Sequence, residues 1–144
     1  MSDLSLPTTK ALVAKSNVAG LVGSGKLTKV HEGRAPKDAV FPYGVIQRIP
    51  GAVGYVFGPG ISKEDDLYLC KVVTERSPAA NKSPQLFAEE MANIWAGLVR
   101  GDLVLTGGGQ CTWNEKFSDF SQDEPDKDSW IFHRGFMQRV VTEP

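Results

Sequence analysis

The chain has 144 residues, of which 41% are apolar and 23% are charged, and its formal net charge is −1. This length predicts one domain, residues 1–144, whose core can fold without a metal, and two cysteines cannot form a disulfide framework. The near-neutral charge argues against a nucleic-acid coat or a membrane-surface protein, and no segment is apolar enough to cross a bilayer. The charge is nevertheless uneven, because residues 1–63 sum to +5 and residues 64–144 sum to −6.

The first 50 residues predict helical structure followed by two strands. Apolar residues over 7–22 have helical spacing, and Ser16-Asn17 divides them into two pieces, with Asn17 as the cap of the second. Residues 27–31 alternate as a short strand does. Residues 41–50 predict a strand bounded by prolines, as expected at a sheet edge.

A glycine-rich segment separates these strands from the strongest strand of the chain. Residues 51–60 contain four glycines around a few apolar side chains, which predicts a long, flexible hairpin arm. Residues 66–76 are rich in β-branched and aromatic side chains. Both alternating faces of this strand are apolar, so both faces are expected to be covered.

The C-terminal half predicts a helix and two strands. Ser83 is a suitable N-cap, Pro84 suits the first helical position, and the apolar stripe continues to Val99. Residues 103–105 allow a short extra strand. Strands over 110–120 and 129–142 follow, joined by an acidic loop at 121–128.

The predicted order of elements is therefore α-β-β-β-α-β-β. Two helices can cover one face of a sheet, so the sequence predicts an α+β fold. Its mixed or antiparallel sheet is flanked by two main helices and carries the long flexible hairpin arm.

No residue pattern predicts catalysis, a cofactor or a metal. Gly20 to Lys26 matches part of a phosphate-binding loop, but Leu27 stands where Ser or Thr is needed, and the loop follows a helix instead of a strand. A glycine turn that ends the helix is the favoured interpretation. The four candidate zinc ligands lack paired spacing: His31, Cys70, Cys111 and His133.

The acidic C-terminal region has some features of a cation site. Carboxylates at 124, 126 and 128 have a spacing near that of calcium loops, but the central glycine and terminal glutamate of such loops are missing. A solvated loop is favoured. The aromatic residues interleaved here predict core, or a protein interface where they point outward.

Several motifs follow one another along the chain in a characteristic order. The first is a helix that ends in a glycine turn before a short strand. The next two are Phe41-Pro42-Tyr43-x-Val45-Ile46 and Arg76-Ser77-Pro78. A helix with Ala88, Met91, Ile94 and Leu98 follows, and a last strand contains Trp130, Phe132 and Phe136-x-x-Arg139-Val140. Over roughly residues 6–142 the chain resembles the tail completion, or tail terminator, proteins of long-tailed bacteriophages and related gene-transfer particles. It departs from them in the arm at 51–60 and the acidic loop at 121–128.

The resemblance implies a structural role in the virion and no enzymatic reaction. Such proteins assemble in the host cytoplasm into homo-oligomeric rings, commonly hexamers, in the neck region of the tail. The ring stops polymerisation at the head-proximal end of the tail tube and joins the tail to head-completion (stopper) proteins. Its implied partners are the tail tube protein, the stopper protein, and double-stranded DNA that passes through the channel without specific binding; no membrane is involved.

Two sets of residues are candidates for these contacts. Partner binding is expected from the arm and the acidic loop, at Tyr55, Val56, Phe57, Ile61, Asp123, Glu124 and Asp126. A cyclic ring joins two different patches, and oppositely charged halves suit such a contact. The candidate subunit-interface residues are Lys29, Arg34, Lys37, Arg48, Glu115 and Asp119.

Three alternatives remain open at this point. The protein can be another neck or minor structural subunit of the virion. It can be a nucleic-acid-binding accessory protein, whose cations would be Lys10, Lys15, Lys26, Lys29, Arg34 and Lys37. It can also be a small enzyme that uses His31 or His133.

Overall fold

The computed structural model describes residues 5–49, 54–58, 61–78, 81–127 and 129–143. In these residues two helices and six strands follow one another: α1 (Ser5–Ser16), β1 (Val30–Glu32), β2 (Tyr43–Arg48), β3 (Gly54–Gly58), β4 (Ile61–Thr74), α2 (Pro84–Val99), β5 (Gln110–Asp126) and β6 (Ser129–Glu143). The predicted α+β class and order of elements are confirmed, and the arm adds β3. None of the described helices combines the length and apolarity that a membrane crossing requires.

All six strands belong to one mixed sheet. The order is β1-β2-β4-β6-β5, and β3 pairs with β4 beyond the end of β2. Among the strands that the structure describes, only the β1–β2 pair is parallel. Strands β4 and β6 are therefore central, and β1 and β5 lie at the two edges.

The core lies between the two helices and one face of this sheet. Trp95 of α2 is completely buried and meets the ring of Phe136 edge-on, with 5.7 Å between ring centroids. Its indole N–H donates to Ser16 Oγ at 2.7 Å, which joins α2 to the end of α1. The predicted bounds of α2 are confirmed, since Ser83 caps it by accepting from Leu86 N and Pro84 begins it.

The predicted second helical piece after Ser16 is wrong, because turns occupy this segment. Asn17 does not cap a helix there. Instead, its side chain accepts from Val30 N at 3.0 Å and donates to Val30 O at 3.1 Å. An amide side chain offers the same donor and acceptor as a backbone, so Asn17 substitutes for a neighbouring strand at the outer edge of β1.

Two predictions for the C-terminal half are also wrong. Residues 103–105 form no strand, although Leu103 and Leu105 still reach the core. The acidic segment 121–126 is not a loop, because β5 continues through it to Asp126 in register with β6. Pairing with β6 outweighs the low strand propensity of the carboxylates.

The sheet face opposite the helices is covered only in part. The chain returns from the end of β1 to the start of β2 through residues 33–42, and Phe41 stacks on Tyr43 with 5.4 Å between centroids. Val45 and Val73 are buried on this face beside Tyr43. Leu67 and Leu69 of β4 are half-buried farther along it, so the expectation that both faces of this strand are covered is met in part.

Candidate assembly surfaces

The two edges of the sheet differ in charge. Lys29, Arg34 and Lys37 lie exposed around β1 and the segment that follows it, and none of them forms an ion pair with a described residue. Strand β5 carries five carboxylates and one lysine at the opposite edge. The two oppositely charged parts of the sequence therefore contribute to opposite edges of one sheet.

The remaining interface candidates all have partners within the chain. Arg48 of β2 pairs with the buried Asp66 at 3.4 Å. On β5, Glu115 pairs with Arg100 at 3.2 Å and Asp119 pairs with Lys116 at 2.9 Å. Asp119 keeps 80% of its side chain exposed, so it is the more accessible of the two carboxylates.

Strand β5 has an unpaired outer edge over its second half. Pro125 has no N–H, so it must occupy a position whose backbone faces away from β6. Pairing is regular from Ser118 to Asp126, and therefore the backbones of Asp119, Ser121 and Asp123 face outward as well. No backbone hydrogen bond from another described segment reaches these three residues.

A groove of about 350 Å³ separates this edge from α2. Arg134 lies at its base with only 13% of its side chain exposed, and pairs with Asp123 at 2.5 Å and with Glu89 at 3.6 Å. Asp119, Ser121 and Asn93 also line the groove. Arg134 carries a single positive charge and pairs with two carboxylates, whereas Asp119 is balanced by Lys116, so the groove and its rim keep one negative charge in excess.

The two sets of partner-binding candidates lie at opposite ends of the sheet. Tyr55, Val56 and Phe57 are on β3, and Ile61 begins β4. These two strands form a hairpin whose tip extends beyond Glu64, the residue of β4 at which pairing with β6 ends. Residues 51–53 and 59–60 of the predicted arm lie outside the described residues. Asp123 is level with Thr74, the other end of β4, and Glu124 and Asp126 lie where the β5–β6 hairpin extends past that end.

Three large aromatic side chains are exposed on the β5–β6 hairpin. Trp113 and Trp130 are each 53% exposed and Phe117 is 61% exposed, whereas Phe136 is in the core. Trp113 lies beside Arg139, which forms two hydrogen bonds with Asp65 at 2.6 and 2.9 Å. Exposed aromatic side chains are typical of protein interfaces, so this strand pair is the most suitable surface for protein contact.

Two ionisable groups near the basic edge have shifted pKa values. Burial, with a smaller effect of Lys29, lowers the pKa of His31 below its usual 6.5. Burial, with a smaller effect of Glu124, raises the pKa of Tyr43. The rings of His31 and Tyr43 contact each other edge-on at 5.7 Å, so both pKa shifts favour neutral rings that pack together.

The structure does not bring the candidate metal ligands together. Cys70 is completely buried in the core, where burial raises its pKa, while His133 pairs with Glu124 at 2.7 Å. The described residues contain no cluster of three or more side chains able to hold a metal. Lys26 donates to Ala19 O at 2.8 Å, and so it closes the glycine turn that the sequence allowed as a phosphate-binding loop.

The sequence did not identify the groove. No motif or spacing in the sequence marks Glu89, Asn93 or Arg134 as members of a site. Glu89 and Asn93 are four residues apart, which places them on one side of α2, but their position opposite Ser121 depends on the pairing of Arg134 with Ser121. The sequence shows the helical spacing of Glu89 and Asn93, but it does not show the register between β5 and β6 that completes the groove.

The chain thus forms an α+β domain with one mixed sheet covered on one face by two helices. This fold is similar to a chain in the solved virion of a native gene transfer agent (GTA) particle, with a TM-score of 0.65 and 17% sequence identity. The match covers 98% of this chain and 99% of that chain, so the likeness shows a shared fold over the whole length. No protein-family model matches the sequence, and a search of curated proteins finds no match.

Proposed function

We propose that this protein is a structural subunit of a phage-like virion, and that it forms a ring at the head-proximal end of the tail tube. The ring terminates tube polymerisation and joins the tail to the stopper proteins of the head. The observation that carries this proposal is the full-length similarity of the fold to a chain of a gene transfer agent virion. The motifs that resemble tail terminators narrow the role within the particle.

The two hairpins at opposite ends of the sheet suit a joining role. In a ring of subunits, one hairpin of each copy can contact the structure below the ring and the other the structure above it. We assign the hairpin of β3 and the first residues of β4 to the tail tube protein. The acidic tip, with Asp123, Glu124 and Asp126, is assigned to the stopper protein.

The oppositely charged sheet edges support a ring of like subunits. A cyclic assembly uses a heterologous contact, in which one patch of each copy meets a different patch of the next. Hexamers are the assembly that the resemblance implies. Carboxylates that face the channel would repel the DNA phosphates, so double-stranded DNA would pass without specific binding.

The test uses the purified full-length protein and purified tail tubes. Light scattering gives the mass in solution, and electron microscopy images the particles and the tube ends. Rings that occupy one end of the tubes and stop the addition of tube protein are expected. A protein that stays monomeric at all concentrations and leaves the tube ends free would contradict the proposal.

A further inference from the structure

We propose that the groove between α2 and the open edge of β5 receives the basic segment 33–40 of a second copy of this chain. This inference rests on the proposed ring and names the two surfaces that form it. The groove supplies an unpaired strand edge and excess negative charge. The segment supplies cations that form no ion pair with any described residue.

The occupant is not a second β5 strand. Two copies that paired antiparallel through this edge would bring Asp119 and Asp123 of one strand against the carboxylates of the other. Like charges in opposed strand positions are destabilising. Such a contact is also isologous, so it would close a dimer and not a ring.

The basic segment has the matching properties. Arg34 and Lys37 are exposed and form no ion pair with any described residue. The segment is anchored at its start, because Gly33 donates to Ile46 O at 2.7 Å and its carbonyl accepts from the Gln47 side chain at 2.7 Å. It therefore presents its cations from a fixed position, which reduces the entropy lost on binding.

The dimensions and the apolar surface also agree. Asp119 and Asp123 are four residues apart on an extended strand, which places them about 13 Å apart. Arg34 and Lys37 are three residues apart in a segment that contains a turn, and their long side chains can each extend toward one of these carboxylates. Val40 is 67% exposed on the segment, and Phe117 is 61% exposed on β5. An apolar contact can thus accompany the charge pairs.

The test compares two charge-reversal variants of the full chain. The first is Arg34→Glu with Lys37→Glu, which makes the segment acidic. The second is Asn93→Lys with Asp119→Lys, which makes the groove basic without changing the two carboxylates that pair with Arg134. Lys10→Glu is the control, because it reverses an exposed cation on α1 that belongs neither to the segment nor to the lining of the groove.

Each variant alone is expected to weaken assembly at least about tenfold, because like charges would meet at every contact. Native mass spectrometry and light scattering measure the assembly, and circular dichroism confirms that each variant is folded. An equimolar mixture should restore rings with equal numbers of the two variants. The acidic segment of one variant would meet the basic groove of the other, and the unchanged surfaces would meet as in the original protein.

The outcomes separate this inference from the proposed function. If the unmodified protein and both variants form rings equally well, the segment–groove contact is wrong and the ring stands. If each variant alone fails to form rings and the mixture forms none either, the two surfaces do not contact each other and the inference is overturned. If the unmodified protein neither forms rings nor caps tubes, both proposals are wrong.

Discussion

At the scale of single residues, a few buried polar contacts join parts of the chain that are far apart in sequence. Ser16 is the main example, because its hydroxyl accepts from the Trp95 indole and donates to Leu12 O at 2.6 Å. Both side chains are completely buried. The contact therefore fixes α1 against α2 at the centre of the core.

Replacing this serine is expected to destabilise the fold. Ser16→Ala leaves the buried indole N–H without an acceptor, and an unsatisfied buried donor costs about 1–3 kcal/mol. Urea unfolding followed by tryptophan fluorescence measures the loss. Ser24→Ala, at an exposed position, is the control and should change the unfolding free energy by less than about 0.5 kcal/mol. Equal stabilities for the two variants would contradict the role of Ser16.

His31 is expected to make stability depend on pH. Its folded pKa lies below 6.5, so as the pH falls the unfolded chain takes up this proton before the folded protein does. The stabilisation by neutral His31 is thus complete above the unfolded pKa and is lost as the pH falls through the lowered folded pKa. Unfolding measured near pH 7.5 and near pH 5.5 should show a larger loss for the original protein than for His31→Gln. The same pH dependence in both proteins would count against this assignment.

At the scale of elements, prediction succeeded where local signals and tertiary context agree. The N-cap Ser83, the following Pro84 and the apolar stripe define α2 without reference to the rest of the chain. Strand β5 was predicted too short, because the carboxylates and Pro125 have low strand propensity and only pairing with β6 holds them extended. The turn after Ser16 was mistaken for helix because Val18, Leu21 and Val22 retain helical spacing.

Removing the β3 arm is expected to separate folding from assembly. The residue pairs beyond Glu64 join only β3 and β4. Replacing residues 52–60 by a short turn therefore leaves the pairing of β4 with β2 and β6 intact. The unfolding free energy should change by less than about 1 kcal/mol. Joining to purified tail tubes should fall at least about tenfold in a pull-down assay, because a few anchor residues carry most of the binding energy of an interface.

Two results would contradict the assignment of the arm. A variant that fails to fold would place the arm in the structural core. A variant that folds and still joins tubes normally would assign tube binding to another surface. Lys10→Ala, at an exposed position of α1 outside the arm, is the control and should join tubes normally.

At the scale of the whole molecule, the topology places the basic and the acidic parts of the sequence at different edges of the sheet. The sequence shows that residues 1–63 are basic and the remainder acidic, but only the strand order places β1 and β5 at opposite edges. The groove depends in addition on how α2 crosses β6, which no local pattern encodes. The charges of the candidate site were therefore predictable, whereas its shape was not.

In the proposed ring, assembly is expected to weaken with salt. Raising sodium chloride from about 0.05 M to about 0.5 M shortens the screening length from above 10 Å to below 8 Å, which reduces attraction between exposed opposite charges. Sedimentation velocity should show at least a tenfold loss of assembly over this range. Thermal unfolding of the isolated subunit is the control and should change little. Assembly that strengthens with salt would indicate an interface dominated by apolar contacts.

The contact between Asn17 and β1 has a consequence for solubility. Val30 N and Val30 O are both bonded to the Asn17 side chain, and Glu32 O accepts from Arg34 N, so three outward backbone groups at this edge are already used. A strand edge whose backbone groups are already bonded offers few groups to the strand of another molecule, so β1 resists pairing with other copies at this edge. Newly made subunits are therefore protected at the β1 edge from strand-by-strand aggregation before they assemble.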